Sequence, residues 1–149
     1  NVERGRSPSI MLKLVSNCVL KLEEERLSGG DFTSVVWMVV TDSPEVKRLA
    51  VETYNNQSID LVFNQTELST SVLRKVLTTT SRGMQTRKNR SPSTQDFAEA
   101  LLDWYLIGES DAVVSHGGVS FGTTGSLRTA RSQHVAKNSC SKLGWVLDK

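Results

Sequence analysis

Between Ser93 and Ala130 the pattern of the chain changes character three times, and this stretch limits the fold more than any other. A helical stripe comes first: Phe97, Ala100, Leu101, Trp104 and Tyr105, widened by Leu106 and Ile107, with Thr94 as the expected N-cap. The run Ala112-Val113-Val114, after Asp111, reads as a buried strand. His116-Gly117-Gly118-Val119-Ser120-Phe121-Gly122 then turns sharply, and a second helix is expected to start near Ser120. Helix, buried strand and glycine-rich turn into a new helix make up the αβα half of a nucleotide-binding fold. A helix N-terminus presents unpaired N–H groups and a positive dipole end, so the turn reads as the phosphate end of a ligand site.

The remaining chain extends this pattern toward an α/β fold. Ser7-Pro8 opens a one-sided helix with Ile10, Met11, Leu14, Val15, Cys18, Val19 and Leu22 on its stripe. Lys13, Lys21, Glu23 and Glu24 fall off that stripe, and Gly29-Gly30 is expected to end the helix. Val35 to Val40 is an unbroken apolar run, as in an interior parallel strand. Asp42 or Ser43 caps a helix opening at Pro44, with Val46, Leu49, Ala50 and Tyr54 inward, and Ile59 to Phe63 is a second strand. Strand, helix, strand is by default a right-handed βαβ unit. Leu68, Val72, Leu73, Val76 and Leu77 suit two or three helical turns. Residues 78–94, holding Arg82, Arg87, Lys88 and Arg90, read as a flexible basic insertion with little to bury. Arg128, Arg131 and His134 mark a helix end, and the remaining tail is poorly patterned, with Val135 at a sheet edge.

Composition narrows the class. At 149 residues and net charge +2 the chain suits one domain and gives no reason to expect a nucleic-acid partner. No apolar run approaches the roughly 20 residues of a membrane span, so any membrane attachment would lie in a segment outside this chain. The chain begins with Asn, which reads as a processed product or fragment. Cys18 and Cys140 make neither a disulfide framework nor a metal site; two buried free thiols are expected, with a single bridge between them as the alternative. Sequons at Asn56, Asn64 and Asn89 favour a secretory-pathway protein, the last weakened by Pro92.

Once metal binding is set aside, three readings compete. Metal binding fails, because His116 and His134 are widely spaced and no Cys-x-x-Cys exists. Gly118-Val119-Ser120-Phe121-Gly122 spells a nucleophile elbow, so a serine hydrolase centred on Ser120 is the rival enzyme reading. Its acid and His should follow the Ser, and only His134 and Asp148 do. The nucleotide reading uses Asp42 at a strand's carboxyl end and Asp103 on the helix before the third strand. A carboxylate can accept two adjacent N–H bonds, which is what the guanine edge offers. A third, non-enzymatic reading is a binding module working through basic loop 82–90.

Val39-Val40-Thr41-Asp42-Ser43-Pro44-Glu45-Val46, Asp103-x-x-Leu106-x-x-x-Ser110-Asp111-Ala112-Val113-Val114 and Ser120-Phe121-Gly122 together resemble the C-terminal donor-binding half of GDP-fucose-dependent fucosyltransferases. The group is the α1,6, α1,2 and protein O-fucosyltransferase superfamily, with a GT-B-like fold. The resemblance implies that Asp103 contacts guanine, that Ser120, Phe121 and Gly122 hold the β-phosphate, and that Asp42 lines the donor pocket. It also implies fucose transfer from GDP-fucose with inversion, no metal or other cofactor, a glycan or glycoprotein acceptor, and a Golgi or ER lumen setting. Gly117 and Gly118 depart from the Thr- or Ser-rich approach to the turn. The family's His-x-Arg-type motif is not found in this sequence, so the catalytic residues stay unassigned. The expected architecture is a single domain over 1–149, a three-layer Rossmann-like sandwich with parallel strands near 34–40, 59–63 and 111–115.

Overall fold

A computed structural model describes residues 7–28, 34–62, 69–79, 93–117 and 120–143. The elements run α1 (Pro8–Leu27), β1 (Val35–Val39), α2 (Pro44–Tyr54), β2 (Ser58–Val62), β3 (Ser69–Thr78), α3 (Thr94–Glu109), β4 (Ala112–Ser115), α4 (Ser120–Leu127), β5 (Ser132–Ala136) and β6 (Cys140–Lys142). The fold is mixed α/β, with two three-stranded mixed sheets ordered β1-β3-β2 and β4-β5-β6. In each, one pair is parallel (β1 with β3, β4 with β5) and one antiparallel (β2 with β3, β5 with β6).

Several expectations change here. The expected helix around Leu68 to Leu77 is instead β3, the middle strand of its sheet. Val72, Arg74 and Val76 are buried in it, while Leu73, Lys75 and Leu77 face out. The apolar spacing fits a helix only if Arg74 is assigned to solvent, and Arg74 is buried at 3% exposure. The strand at 58–62 forms, but it runs antiparallel to β3, which separates it from β1. The expected β1–α2–β2 unit of parallel strands is therefore replaced by a parallel β1–β3 pair. Position 134 lies in a strand, not at a helix end, since α4 stops at Leu127 and β5 is a middle strand. The basic loop lies outside the described residues between 80 and 92, as do Gly29 and Gly30.

α1 touches both sheets. Its Glu23, expected off the stripe, is buried and takes a two-pronged ion pair from Arg74 of β3, with Nη2–Oε1 at 2.5 Å and Nε–Oε2 at 3.0 Å. The Trp37 indole N–H donates to the same carboxylate at 2.7 Å, and Arg74 stacks on the Trp37 ring at 4.5 Å. Leu27 and Val72 form the apolar centre of this junction, flanked by Val35 and Ile59. Ser16 shares a 2.7 Å hydrogen bond with Tyr54 of α2. Toward the second sheet, Cys18 is joined to Cys140 of β6 by a disulfide, with Cα atoms 5.0 Å apart. The expectation of two free thiols is thus corrected: residues 122 apart in sequence are brought together by α1 crossing the sheet.

Helix boundaries follow local chemistry. Ser43 caps α2, its hydroxyl accepting from Val46 N at 3.3 Å, with Pro44 at the first turn. α3 opens with a capping box in which the Ser93 hydroxyl accepts from Asp96 N and the Asp96 carboxylate accepts from Ser93 N. The cap is Ser93, one residue before the expected Thr94.

Candidate functional site

β4 delivers the chain into the turn that precedes α4, and the turn is anchored from below. Gly117 has φ 75°, a left-handed conformation natural to glycine. Its carbonyl accepts a hydrogen bond from the Ser115 hydroxyl at 2.9 Å. Ser115 in turn accepts from Gln133 Nε2 at 3.1 Å, across the parallel β4–β5 pair. Gln133 is fully buried, and its Oε1 has no hydrogen-bond partner among the described residues. Sequence reasoning missed Ser115 and Gln133, since polar residues in short strands carry no pattern signal.

Ser120 is the first residue of α4, as expected, and is exposed. Thr124 Oγ1 donates to the Ser120 carbonyl at 2.9 Å and accepts from the Trp104 indole N–H at 3.1 Å, tying α4 to α3. Gly122 is buried. At Gly125 a Cβ would meet Ile107 Cγ2 at 2.8 Å and the Trp104 carbonyl at 3.1 Å, so only glycine allows this close approach. Phe121 is 42% exposed and lines a shallow groove of about 360 Å³ with Phe97, Ala100, Leu101 and Trp104.

α3 presents itself differently from its sequence pattern. The stripe expected to be buried is largely open, with Phe97 59%, Leu101 49% and Tyr105 50% exposed. The buried residues are Asp96, Asp103 and Gly108. Asp103 is therefore an inward carboxylate at 8% exposure, and it is already partnered. At the far end of α3, Arg128 donates to the Tyr105 carbonyl at 3.0 Å and pairs with Glu109 at 2.5 Å, and this bond holds the Glu109 carboxyl below its usual value.

The candidate residues fall into two groups. Asp103, Ser120, Phe121 and Gly122 lie on the packed α3–α4 pair. Asp42 is exposed in the β1–α2 loop of the other sheet, where Ser43 and not Asp42 does the capping. For the hydrolase reading, the relevant geometry is that of the histidines. His134 is buried on β5 among charges of Glu25 and Arg26 on α1 and Lys142 on β6. Burial first, and Lys142 second, push its imidazole below the ordinary histidine value. The His116 Nε2 is buried without a hydrogen-bond partner among the described residues. Neither imidazole is hydrogen-bonded to Ser120 among the described residues.

Among the described residues no group of three or more His, Cys, Asp and Glu side chains is placed to hold a metal ion, and no helix is long and apolar enough to cross a membrane. No protein-family profile, curated protein or solved structure matches the chain.

Proposed function

We propose that this chain is the donor-binding region of a GDP-fucose-dependent fucosyltransferase, with α3, β4 and α4 forming a shelf for guanine and phosphate. The observation that carries the reading is the β4–α4 connection: a parallel strand, a left-handed Gly117 and an exposed Ser120 opening a helix. Such a turn offers backbone N–H groups and a helix dipole to a diphosphate. Ser120 would add a hydroxyl donor, with Phe121 and Gly122 supplying the next backbone. Asp103 would accept the guanine N1 and N2 hydrogens, exchanging its present partner for the base. Charge building on the departing GDP would be stabilised by these donors without a metal.

In this reading the two sheets belong to a three-layer, Rossmann-like donor domain of a GT-B-like enzyme, to whose donor pocket Asp42 would contribute from the β1–α2 loop of the other sheet. The acceptor is a glycan or glycoprotein and the setting is the secretory-pathway lumen. Calorimetric titration with GDP, GMP and ADP tests the proposal. GDP should bind most tightly, GMP more weakly for want of the β-phosphate, and ADP more weakly for want of the guanine edge. Equal or absent binding of all three would sink it.

A further inference from the structure

We propose that Asn56 is a modification site, its side-chain amide carrying an N-linked glycan at the exposed turn between α2 and β2. The proposal shares with the donor-binding reading only the lumenal setting, and it needs no nucleotide. Asn56-Gln57-Ser58 has the acceptor pattern Asn-x-Ser with no proline in the middle. A three-residue pattern arises readily by chance, so the weight rests on where the fold puts it.

The fold leaves this acceptor in the open. Asn56, Gln57 and Ser58 are all exposed. The turn is held by its backbone: Asn56 N donates to the Arg74 carbonyl at 2.9 Å, and Arg74 N donates to the Gln57 carbonyl at 3.0 Å. The side-chain bonds come from the two neighbours of Asn56. Asn55 Oδ1 accepts from Val76 N at 2.9 Å. Gln57 donates to the Thr53 carbonyl at 2.6 Å and accepts from the Arg74 guanidinium at 2.6 Å. A glycan on the Asn56 amide displaces none of these bonds. It also has room: Ser58 pairs with Leu73 of β3, paired residues share a face of the sheet, and Leu73 is 58% exposed.

Turn geometry accounts for half of the motif. Asn56 has φ 59°, and asparagine is among the few side chains that tolerate the left-handed region. That geometry makes no demand on residue 58, where a β-branched or aromatic residue would suit a strand better than serine. A hydroxyl at that position is what the acceptor pattern requires. The second observation is the disulfide. Cys18–Cys140 ties α1 to β6, and such bonds persist in oxidising compartments, where N-linked glycans are also added. In the transfer, Asn56 Nδ2 attacks the anomeric carbon of a lipid diphosphate-linked oligosaccharide. The N–C bond forms as the C–O bond to the diphosphate breaks. The lipid diphosphate leaves with that electron pair, and the amide gives up one proton to the transferase.

The test uses the protein from the cells that make it. Peptide N-glycosidase in heavy-oxygen water turns a glycan-bearing asparagine into a labelled aspartate, which mass spectrometry locates. The label is expected at Asn56. Recovery of Asn56 as unlabelled asparagine throughout would overturn the proposal, whatever is found at Asn64 and Asn89. Variants made in the same cells give a second readout. Asn56→Gln and Ser58→Ala should each lose the gel-mobility shift of one glycan, and Ser58→Thr should keep it. Ser58→Ala leaves the left-handed asparagine in place, so its loss does not report a broken turn. A full shift retained in Ser58→Ala would also overturn the proposal. Neither readout involves GDP, so a chain glycosylated at Asn56 that takes up no GDP would sink the donor-binding reading alone.

Discussion

The middle strand of the β4–β5–β6 sheet is buried at four successive residues, Gln133 to Ala136, whereas the middle strand of the β1–β3–β2 sheet buries only alternate ones. Side chains alternate along a strand, so β5 is covered on both faces and β3 on one. α1 and α4 both pack on β4 and β5, while α1 and α2 attend the first sheet and leave Val36 57%, Leu73 58% and Leu77 37% exposed. The ties to α1 differ as well. The first sheet is held by a buried ion pair and an apolar centre, the second by a disulfide at Cys18 together with packing. The sheet whose middle strand is covered on both faces is the one that carries the candidate phosphate turn, which fits a site that works by fixed geometry.

The largest effect should come from Arg74. Arg74→Met leaves the Glu23 carboxylate buried with its main partner gone, and stability should drop by about 3–5 kcal/mol in urea unfolding. Adding Glu23→Leu should recover most of that loss, because two apolar residues need no charge compensation. Next comes the disulfide. Its 122-residue separation places it among long loops, so reduction should lower stability by about 2–5 kcal/mol, read by unfolding with and without a dithiol. Protection from hydrogen exchange should then fall first in β6 and the middle of α1. If β3 loses protection equally, the two junctions are not separate.

A smaller effect is pH-dependent and belongs to the second sheet. His134 is held below its ordinary value, so the folded state prefers neutral imidazole. Its contribution is complete above the unfolded value of about 6.5 and is lost as pH falls from there through the folded value. His134→Gln should flatten that part of the stability profile. The smallest effect is at the open face of the first sheet, where Leu73→Lys should change stability by no more than about 0.5 kcal/mol.

Most element positions were legible because their apolar residues carry the right period. Val35 to Val39, the Pro44 helix start and Ser120 as the head of α4 all follow from local chemistry. The misread segments share one cause, polar residues placed inside. Arg74 in β3 and Gln133 with His134 in β5 break the apolar alternation, so one strand looked helical and the other patternless. Their burial depends on partners far away in sequence, Glu23 for Arg74 and Ser115 for Gln133. The disulfide was hidden for the same reason, since only the path of α1 brings Cys18 to Cys140. Within the candidate site, the residues at helix starts were visible and the Gln133–Ser115–Gly117 hydrogen bonds beneath them were not.

The donor-binding account depends most on Asp103 reading guanine, and the 2-amino group isolates that contact. Affinities for GDP and inosine diphosphate, which differ only in that group, should be compared by calorimetry. A charge-assisted hydrogen bond to the amino group predicts a preference for GDP of about tenfold or more, lost in Asp103→Asn. Equal affinities of the unaltered chain for the two nucleotides would contradict the account.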